Sequence, residues 1–204
     1  KRDNNITEIQ SAQFIRLREK IPVFTEEDEL TVVYPIPRIK KIIRIDTKSG
    51  KISKPRVSPK KGTVYDIFTE LYGIRDLLCN PRLHFRAVLL DITEYRYISE
   101  IKGSRKKVRR ADRIPFTVAE IIELRNPCDA ENLIPAVLNR EFTSKDFAKA
   151  AGISEQRART VILVMRTLGI LKICGKLGRF NLYVRTGGSY IKKLTSIWST
   201  PTRK

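Results

Sequence analysis

The sequence has very little of the residue types that build disulfide frameworks, zinc sites and hydrolytic triads. It contains three cysteines, far apart at positions 79, 128 and 174, and a single histidine, His84. No cysteine spacing predicts a disulfide framework or a zinc site. With one histidine and no GxSxG sequence, a nucleophilic triad has no candidates. Because Cys79 and Cys174 lie in apolar runs, we expect both to be buried free thiols in a reducing compartment.

Long apolar runs and glycine-rich phosphate loops are also absent. No stretch is long and apolar enough to span a bilayer, and no signal peptide is visible. The sequence has neither a P-loop nor a GxGxxG pattern, so it does not indicate nucleotide-dependent chemistry. We expect an intracellular protein of the cytoplasm or nucleoid that needs no cofactor.

Acidic residues are few relative to basic ones. The chain has 41 Lys and Arg against 22 Asp and Glu, which gives a formal net charge of +19 and a pI near 10.1. Residues 1–100 carry +5 of this charge and residues 101–204 carry +14. A field of this strength favours a polyanionic partner, nucleic acid first and an acidic membrane surface second. This difference between the two halves of the sequence predicts that the excess positive charge lies in the C-terminal part.

Residues 141–185 carry the clearest local pattern. Thr143 and Ser154 are N-cap residues, and Gly152 between them suits the left-handed position that ends a helix. Two helices are therefore predicted, followed by strands at 170–174 and 180–184 with a basic tip at 175–179. The second helix has an apolar stripe at helical spacing, formed by Ala158, Val161, Ile162, Met165 and Leu168.

This order of helix, turn, helix and hairpin resembles the winged helix-turn-helix family over residues 129–185. The resemblance implies that the second helix enters the DNA major groove and that the hairpin tip reaches a phosphate or the minor groove. Arginine and glutamine on such a helix have the geometry to read guanine and adenine. The residues that would contact nucleic acid are Ser154, Gln156, Arg157, Arg159, Thr160, Arg166, Lys176 and Arg179. The alternative is a set of solvated charges on a module that binds protein.

The N-terminal half reads as a small α+β unit. A helix after Thr63 has Ile67, Phe68 and Leu71 in its buried stripe, and the apolar run at 84–98 suits a central strand. The segment at 46–50 predicts a hairpin turn, and Pro35 and Pro37 are expected to end a strand at 30–34. The basic run after this unit is either a solvated linker or a phosphate-binding loop, with candidates Arg105, Lys106, Lys107, Arg109 and Arg110.

A second interpretation gives the N-terminal half a catalytic role. Glu70 on a helix, Asp91 on the central strand, and Glu100 followed by Lys102 vaguely resemble the PD-(D/E)xK nuclease pattern. The resemblance implies that Asp91 and Glu100 hold Mg²⁺ while Lys102 orients the attacking water. The alternative is that Asp91 is a paired strand residue and Glu100 is solvated, in which case no metal is expected.

The predicted fold class is α+β, a small N-terminal helix-on-sheet unit followed by a C-terminal winged helix-turn-helix domain. The predicted segments are an N-terminal arm or helix at 1–24, an α+β domain at 25–101, a basic linker or loop at 102–116, the winged domain at 117–186, beginning with a short helix at 117–124, and a basic tail at 187–204. The predicted function is non-catalytic binding of nucleic acid, with double-stranded DNA as the expected partner. The alternatives are the Mg²⁺-dependent nuclease and an RNA-binding subunit of a larger assembly.

Overall fold

The fold is taken from a computed structural model that describes residues 4–100 and 106–187, with the backbone alone at residues 100, 106, 127 and 128. The chain forms two compact units. Unit 1 contains residues 1–34, 65–87 and 123–204, and unit 2 contains residues 35–64 and 88–122.

Strands dominate the structure. The strands are β1 (Asn5–Ile9), β2 (Glu29–Asp46), β3 (Arg56–Val57), β4 (Leu83–Glu100), β5 (Lys106–Leu124), β6 (Glu141–Phe142), β7 (Leu171–Leu177) and β8 (Phe180–Arg185). The helices are α1 (Lys20–Phe24), α2 (Ile67–Gly73), α3 (Pro127–Glu131), α4 (Ser144–Ala151) and α5 (Glu155–Thr167), with 3-10 turns at Phe14–Leu17 and Val64–Asp66.

Two sheets organise the described residues. The larger has the strand order β1-β2-β4-β5, with β3 paired to β2, and the smaller has the order β6-β8-β7. β1 runs parallel to β2, whereas β3 is antiparallel to it, so the larger sheet is mixed. β4 was predicted as a central strand, and its place between β2 and β5 confirms that prediction.

The predicted fold class is wrong. Strand accounts for 43% and helix for 25% of the structure, and a large mixed sheet replaces the small helix-on-sheet unit. The expected helix at 117–124 is instead the second half of β5. Apolar residues alternate along this stretch, as at Ile114, Phe116 and Val118. This alternation with a period of two residues is typical of a strand, and it was a better guide than the short helical pattern.

The prolines of β2 did not end the strand as expected. β2 continues from Glu29 to Asp46 through Pro35 and Pro37. On this side β1 pairs only as far as Val33, and β3 pairs with β2 at Lys41 and Ile42. Because the prolines lie between these two pairings, their missing N–H donors remove no hydrogen bond of either ladder.

The local elements of the C-terminal segment agree with the sequence. The Thr143 hydroxyl accepts from the Asp146 backbone N–H, and the Asp146 carboxylate accepts from Thr143 N at 2.8 Å, which completes a capping box. Gly152 has φ 64°, and the Ser154 hydroxyl accepts from Arg157 N. The hairpin tip is shorter than predicted, because Leu177 pairs with Phe180 and only residues 178 and 179 turn.

These helices do not form the separate winged helix-turn-helix domain predicted for residues 117–186. α5 packs against both α4 and α2, and the Tyr65 ring lies edge-on to Phe147 with centroids 5.8 Å apart. Val164, which lies outside the predicted stripe, is also fully buried. The buried face of α5 is therefore wider than the predicted stripe, as expected for a helix that packs against two neighbouring helices. Residues 123–187 therefore share unit 1 with the N-terminal elements.

The core of unit 1 is aromatic and aliphatic. Phe14 stacks on Phe85 at 6.0 Å and meets Tyr34 edge-on at 5.4 Å. Phe147 lies 6.1 Å from Phe142, and both rings are buried. Of the described cysteines, Cys79 is half-buried, which raises the pKa of its thiol, but Cys174 on β7 is exposed, contrary to expectation.

Candidate nucleic-acid interface

The arginines predicted to read DNA bases have acidic partners in unit 1. Arg157 forms an ion pair with Asp66 at 2.7 Å, and its side chain is 31% exposed. Arg159 pairs with Glu155, one turn earlier on α5, at 2.6 Å. Ser154 serves as the helix N-cap. Arg157 is therefore occupied by a contact within the protein, whereas the side chain of Arg159 is 63% exposed.

The other predicted contacts of this segment are exposed on separate elements. Gln156 and Arg166 are exposed on α5, and the Thr160 hydroxyl donates to the Gln156 carbonyl at 3.3 Å. Lys176 is exposed on β7, and the Arg179 guanidinium lies 5.2 Å from the centre of the Phe180 ring. These residues supply positive charge to unit 1, and Arg179 lines one cavity of about 320 Å³ together with Arg159 and its ion-pair partner Glu155.

The predicted catalytic residues are not assembled within one unit. Glu70 belongs to unit 1, where its carboxylate accepts from the Phe14 backbone N–H at 3.0 Å. Asp91 belongs to unit 2 and receives two hydrogen bonds from Arg38, at 2.9 and 2.7 Å. The side chain of Glu100 and all of Lys102 lie outside the described residues. Among the residues that are described, no cluster of three or more His, Cys, Asp or Glu forms a metal site.

Asp91 matches the structural alternative given for it. Its carboxylate is 11% exposed and forms an ion pair with Arg38 at 2.7 Å. The hydrogen bond from Arg38 is the main reason why the pKa of Asp91 lies below its ordinary value. The Arg38 guanidinium thus occupies the carboxylate oxygens that would have to bind Mg²⁺ in a metal site.

Unit 2 instead contains a buried carboxylate surrounded by cations. Glu94 on β4 has a side chain that is 1% exposed, and it receives hydrogen bonds from Arg96 at 2.7 Å and from Arg113 at 2.8 Å. The ammonium of Lys40 and the guanidinium of Arg110 both lie 3.7 Å from its Oε2 atom. The single negative charge of Glu94 is thus surrounded by four positive charges, which gives the cluster a net charge of +3.

The cations control the ionisation of this cluster. Burial alone would raise the pKa of Glu94, but hydrogen bonds from Arg113 and Arg96 and the charge of Lys40 lower it to about 2. The pKa of Lys40 is lowered, first by burial and then by the neighbouring arginines, while Glu94 opposes the shift. Glu94 is therefore a fixed anion at neutral pH, and it holds its arginines in place.

A cavity lies beside this cluster, and every charged side chain that lines it is a cation. It has a volume of about 390 Å³ and lies wholly in unit 2. Its charged lining residues are Arg44, Lys54, Arg56 and Arg96. Arg96 is the residue that also binds Glu94. Within the described part of the chain, Arg44, Lys54 and Arg56 form no ion pair.

Backbone hydrogen bonds hold the segment that carries Lys54 and Arg56 against β2. Ser53 N donates to the Arg44 carbonyl at 2.8 Å, and the Ser53 hydroxyl accepts from Arg44 N at 2.9 Å. Further along, Ser58 N donates to the Lys40 carbonyl at 2.8 Å. Pro55 also restricts this backbone, so the main chain that carries Lys54 and Arg56 has a fixed position.

The net charge is concentrated in unit 2. Its residues include 18 Lys and Arg against six Asp and Glu, which gives +12 of the +19 in about a third of the chain. Comparing the two halves of the sequence placed the surplus in the C-terminal part, because the boundary at residue 100 cuts through unit 2. The useful signal was the segment 54–62, whose four basic residues have no acidic neighbour in that segment.

The predicted basic linker contributes to this surface as a strand. Lys107, Arg109 and Arg110 are exposed on β5. Arg105 and the side chain of Lys106 lie outside the described residues. β4 and β5 are sheet neighbours joined by residues 101–105, a connection too short for a parallel crossover of about a dozen residues, so they form an antiparallel hairpin.

Comparison with known proteins gives a family and one relative. The family described as "Domain of unknown function (DUF8091)" matches residues 1–125. The chain belongs to this family. An "Uncharacterized protein" of Treponema pallidum (strain Nichols) is 29% identical over 183 residues, which cover 89% of this chain and 71% of that protein. No solved structure matches the chain.

The family match ends next to a structural boundary. It contains both segments of unit 2 and stops at Arg125, one residue after β5. The capped helices α4 and α5 and the β7–β8 hairpin lie beyond it. The basic surface of unit 2 is thus part of what the family description covers. None of the described helices is long and apolar enough to cross a membrane.

Proposed function

We propose that this protein binds double-stranded DNA, without catalysis, through the basic surface of unit 2. The observation that carries the proposal is the concentration of +12 in residues 35–64 and 88–122. A charge of this density attracts a polyanion and raises its association rate. The proposal keeps the partner predicted from composition and moves the interface away from α5. A DNA partner also agrees with the expected location in the cytoplasm or nucleoid.

The side chains of the hairpin support this placement. Lys107 and Arg109 are exposed, and the side chain of Arg110 is 60% exposed although it lies near Glu94. Exposed cations at such positions can contact phosphates without first breaking a strong internal ion pair. Double-stranded DNA carries about one negative charge per 1.7 Å of helix axis, so it is the polyanion that we propose for this row of cations.

The main test measures how salt and mutation change binding to a labelled duplex by fluorescence anisotropy. Six phosphate contacts would lower affinity roughly a thousandfold between about 50 and 200 mM salt. The double variant Lys107→Gln/Arg109→Gln should lose affinity about tenfold and reduce the salt slope by about 2. The matched control, Lys172→Gln/Lys176→Gln, removes two exposed cations from β7 in unit 1.

The outcomes separate the two surfaces. We expect the β7 control to stay within about twofold of the wild type, because its lysines lie outside unit 2. Binding that barely responds to salt would contradict the electrostatic basis of the proposal. If the β7 variant loses affinity and the β5 variant does not, the interface lies in unit 1. A duplex RNA competitor that displaces DNA at equal concentration would remove the preference for DNA.

A further inference from the structure

The cavity of unit 2 has a charge that suits a particular ligand. Arg96 is ion-paired with Glu94, whereas Arg44, Lys54 and Arg56 have no ion-pair partner among the described residues. The cavity therefore offers about three uncompensated positive charges around roughly 390 Å³. A backbone phosphodiester carries one negative charge, but a phosphomonoester carries about −1.5 to −2 at neutral pH. The dianion is the closer match.

The donor set also suits a phosphate. Three of the four cations are arginines, whose planar guanidinium donates two parallel hydrogen bonds to phosphate oxygens. Ser53 and Ser58 add hydroxyl groups to the lining, and no carboxylate is present to repel an anion. A protein that only tracked a continuous backbone would need an open basic surface, which β5 already provides.

The Arg96 side chain, and the backbone that carries the other three cations, are held in advance of binding. Glu94 binds the Arg96 guanidinium from within the sheet, and Ser53 and Ser58 attach the Lys54–Arg56 segment to β2 at both ends. A site whose donors are already placed loses less conformational entropy when the ligand binds. These contacts distinguish the cavity from a chance group of solvated lysines.

We propose that the cavity formed by Arg44, Lys54, Arg56 and Arg96 binds a phosphate dianion, which arrives either as the terminal phosphomonoester of a nucleic-acid strand or as free phosphate. The first source deepens the DNA-binding function and rests on it. Unit 2 then has two kinds of contact: β5 cations that hold the backbone anywhere, and a cavity that selects a phosphorylated end.

The experiment compares two labelled duplexes of the same sequence that differ only in a 5′-phosphate or a 5′-hydroxyl. Wild-type protein should bind the phosphorylated duplex about tenfold more tightly, the effect of one charge-assisted contact pair. Arg44→Gln/Arg56→Gln should remove this preference, and both side chains are exposed, so the fold should be retained. Lys107→Gln/Arg109→Gln should weaken both duplexes alike and keep the preference.

A second arm titrates inorganic phosphate and follows the melting temperature in a buffer without other multivalent anions. If phosphate binds, the melting temperature rises in the wild type and not in Arg44→Gln/Arg56→Gln. A rise without any preference between the duplexes identifies free phosphate as the source. Equal affinity for the two duplexes together with an unchanged melting temperature overturns the cavity proposal, even if both duplexes bind. Failure of both duplexes to bind overturns the DNA-binding function instead.

Discussion

Replacing Glu94 by glutamine tests the central electrostatic feature of unit 2. The substitution keeps the shape of the side chain and removes the negative charge that Lys40, Arg96, Arg110 and Arg113 share. These four cations would then face one another around a neutral amide. Since the carboxylate is 1% exposed, water cannot replace it without opening the cluster.

The magnitude follows from the ionisation of the carboxylate. Its pKa falls from an ordinary value of 4.5 to about 2 in the folded protein. A difference of this size corresponds to roughly 3 kcal/mol of stability at neutral pH. Breaking one partner out of a buried ion pair costs about 3–5 kcal/mol in other proteins, which is the same range. We therefore expect Glu94→Gln to lower the free energy of unfolding by about 3 kcal/mol.

The sign of the pH dependence is fixed by the direction of this shift. A carboxylate with a lowered folded-state pKa stabilises the protein above its unfolded pKa, and the stabilisation is lost as pH falls toward the folded pKa. The Glu94 contribution should thus be complete above about pH 4.5 and disappear toward pH 2. The wild type and Glu94→Gln should converge in stability across this window.

The assay is urea-induced unfolding followed by far-ultraviolet circular dichroism at pH 7 and at pH 3. Glu120→Gln is the matched control, because Glu120 is an exposed carboxylate on β5 in the same unit and its removal changes the net charge equally. The control should change the free energy of unfolding by less than about 0.5 kcal/mol. Equal small losses in both variants, or a constant gap between wild type and Glu94→Gln at the two pH values, would refute the reasoning.

Two further predictions concern unit 1 and the loop after β3. Arg157→Ala should lower the free energy of unfolding by about 1–2 kcal/mol, because it removes the 2.7 Å ion pair with the half-buried Asp66. Arg166 is an exposed residue of the same helix, so Arg166→Ala should change the free energy of unfolding by less than about 0.5 kcal/mol in the same urea assay. A larger loss from Arg166→Ala would contradict this. Gly62→Ala should lower the free energy of unfolding by about 1–3 kcal/mol, because the new Cβ would lie 2.5 Å from the Pro37 carbonyl oxygen. Gly175→Ala is the control, since its Cβ would meet only the Leu182 Cδ1 atom at 4.0 Å. A lower melting temperature for Gly175→Ala than for Gly62→Ala would disprove the close approach.

Sequence patterns were sufficient where the decisive contacts are local. The N-caps at Thr143 and Ser154, the left-handed Gly152 and the turn at 46–50 each depend on residues within four positions of one another. A cap or a turn places its own donors and acceptors, so residue types at short spacing predict it. The buried stripes of α2 and α5 followed for the same reason, from helical periodicity.

The tertiary structure decided which surfaces these elements use. Arg157 finds its partner Asp66, and Arg38 finds Asp91, across separations of 91 and 53 residues. The same holds for the cluster at Glu94, which draws cations from three strands. Periodicity states which face of an element is polar but not which charge lies opposite it. The sequence by itself therefore determined the local elements and the excess of positive charge. Only the tertiary structure decided that Arg157 of α5 is paired with Asp66 while the cations of unit 2 surround a cavity.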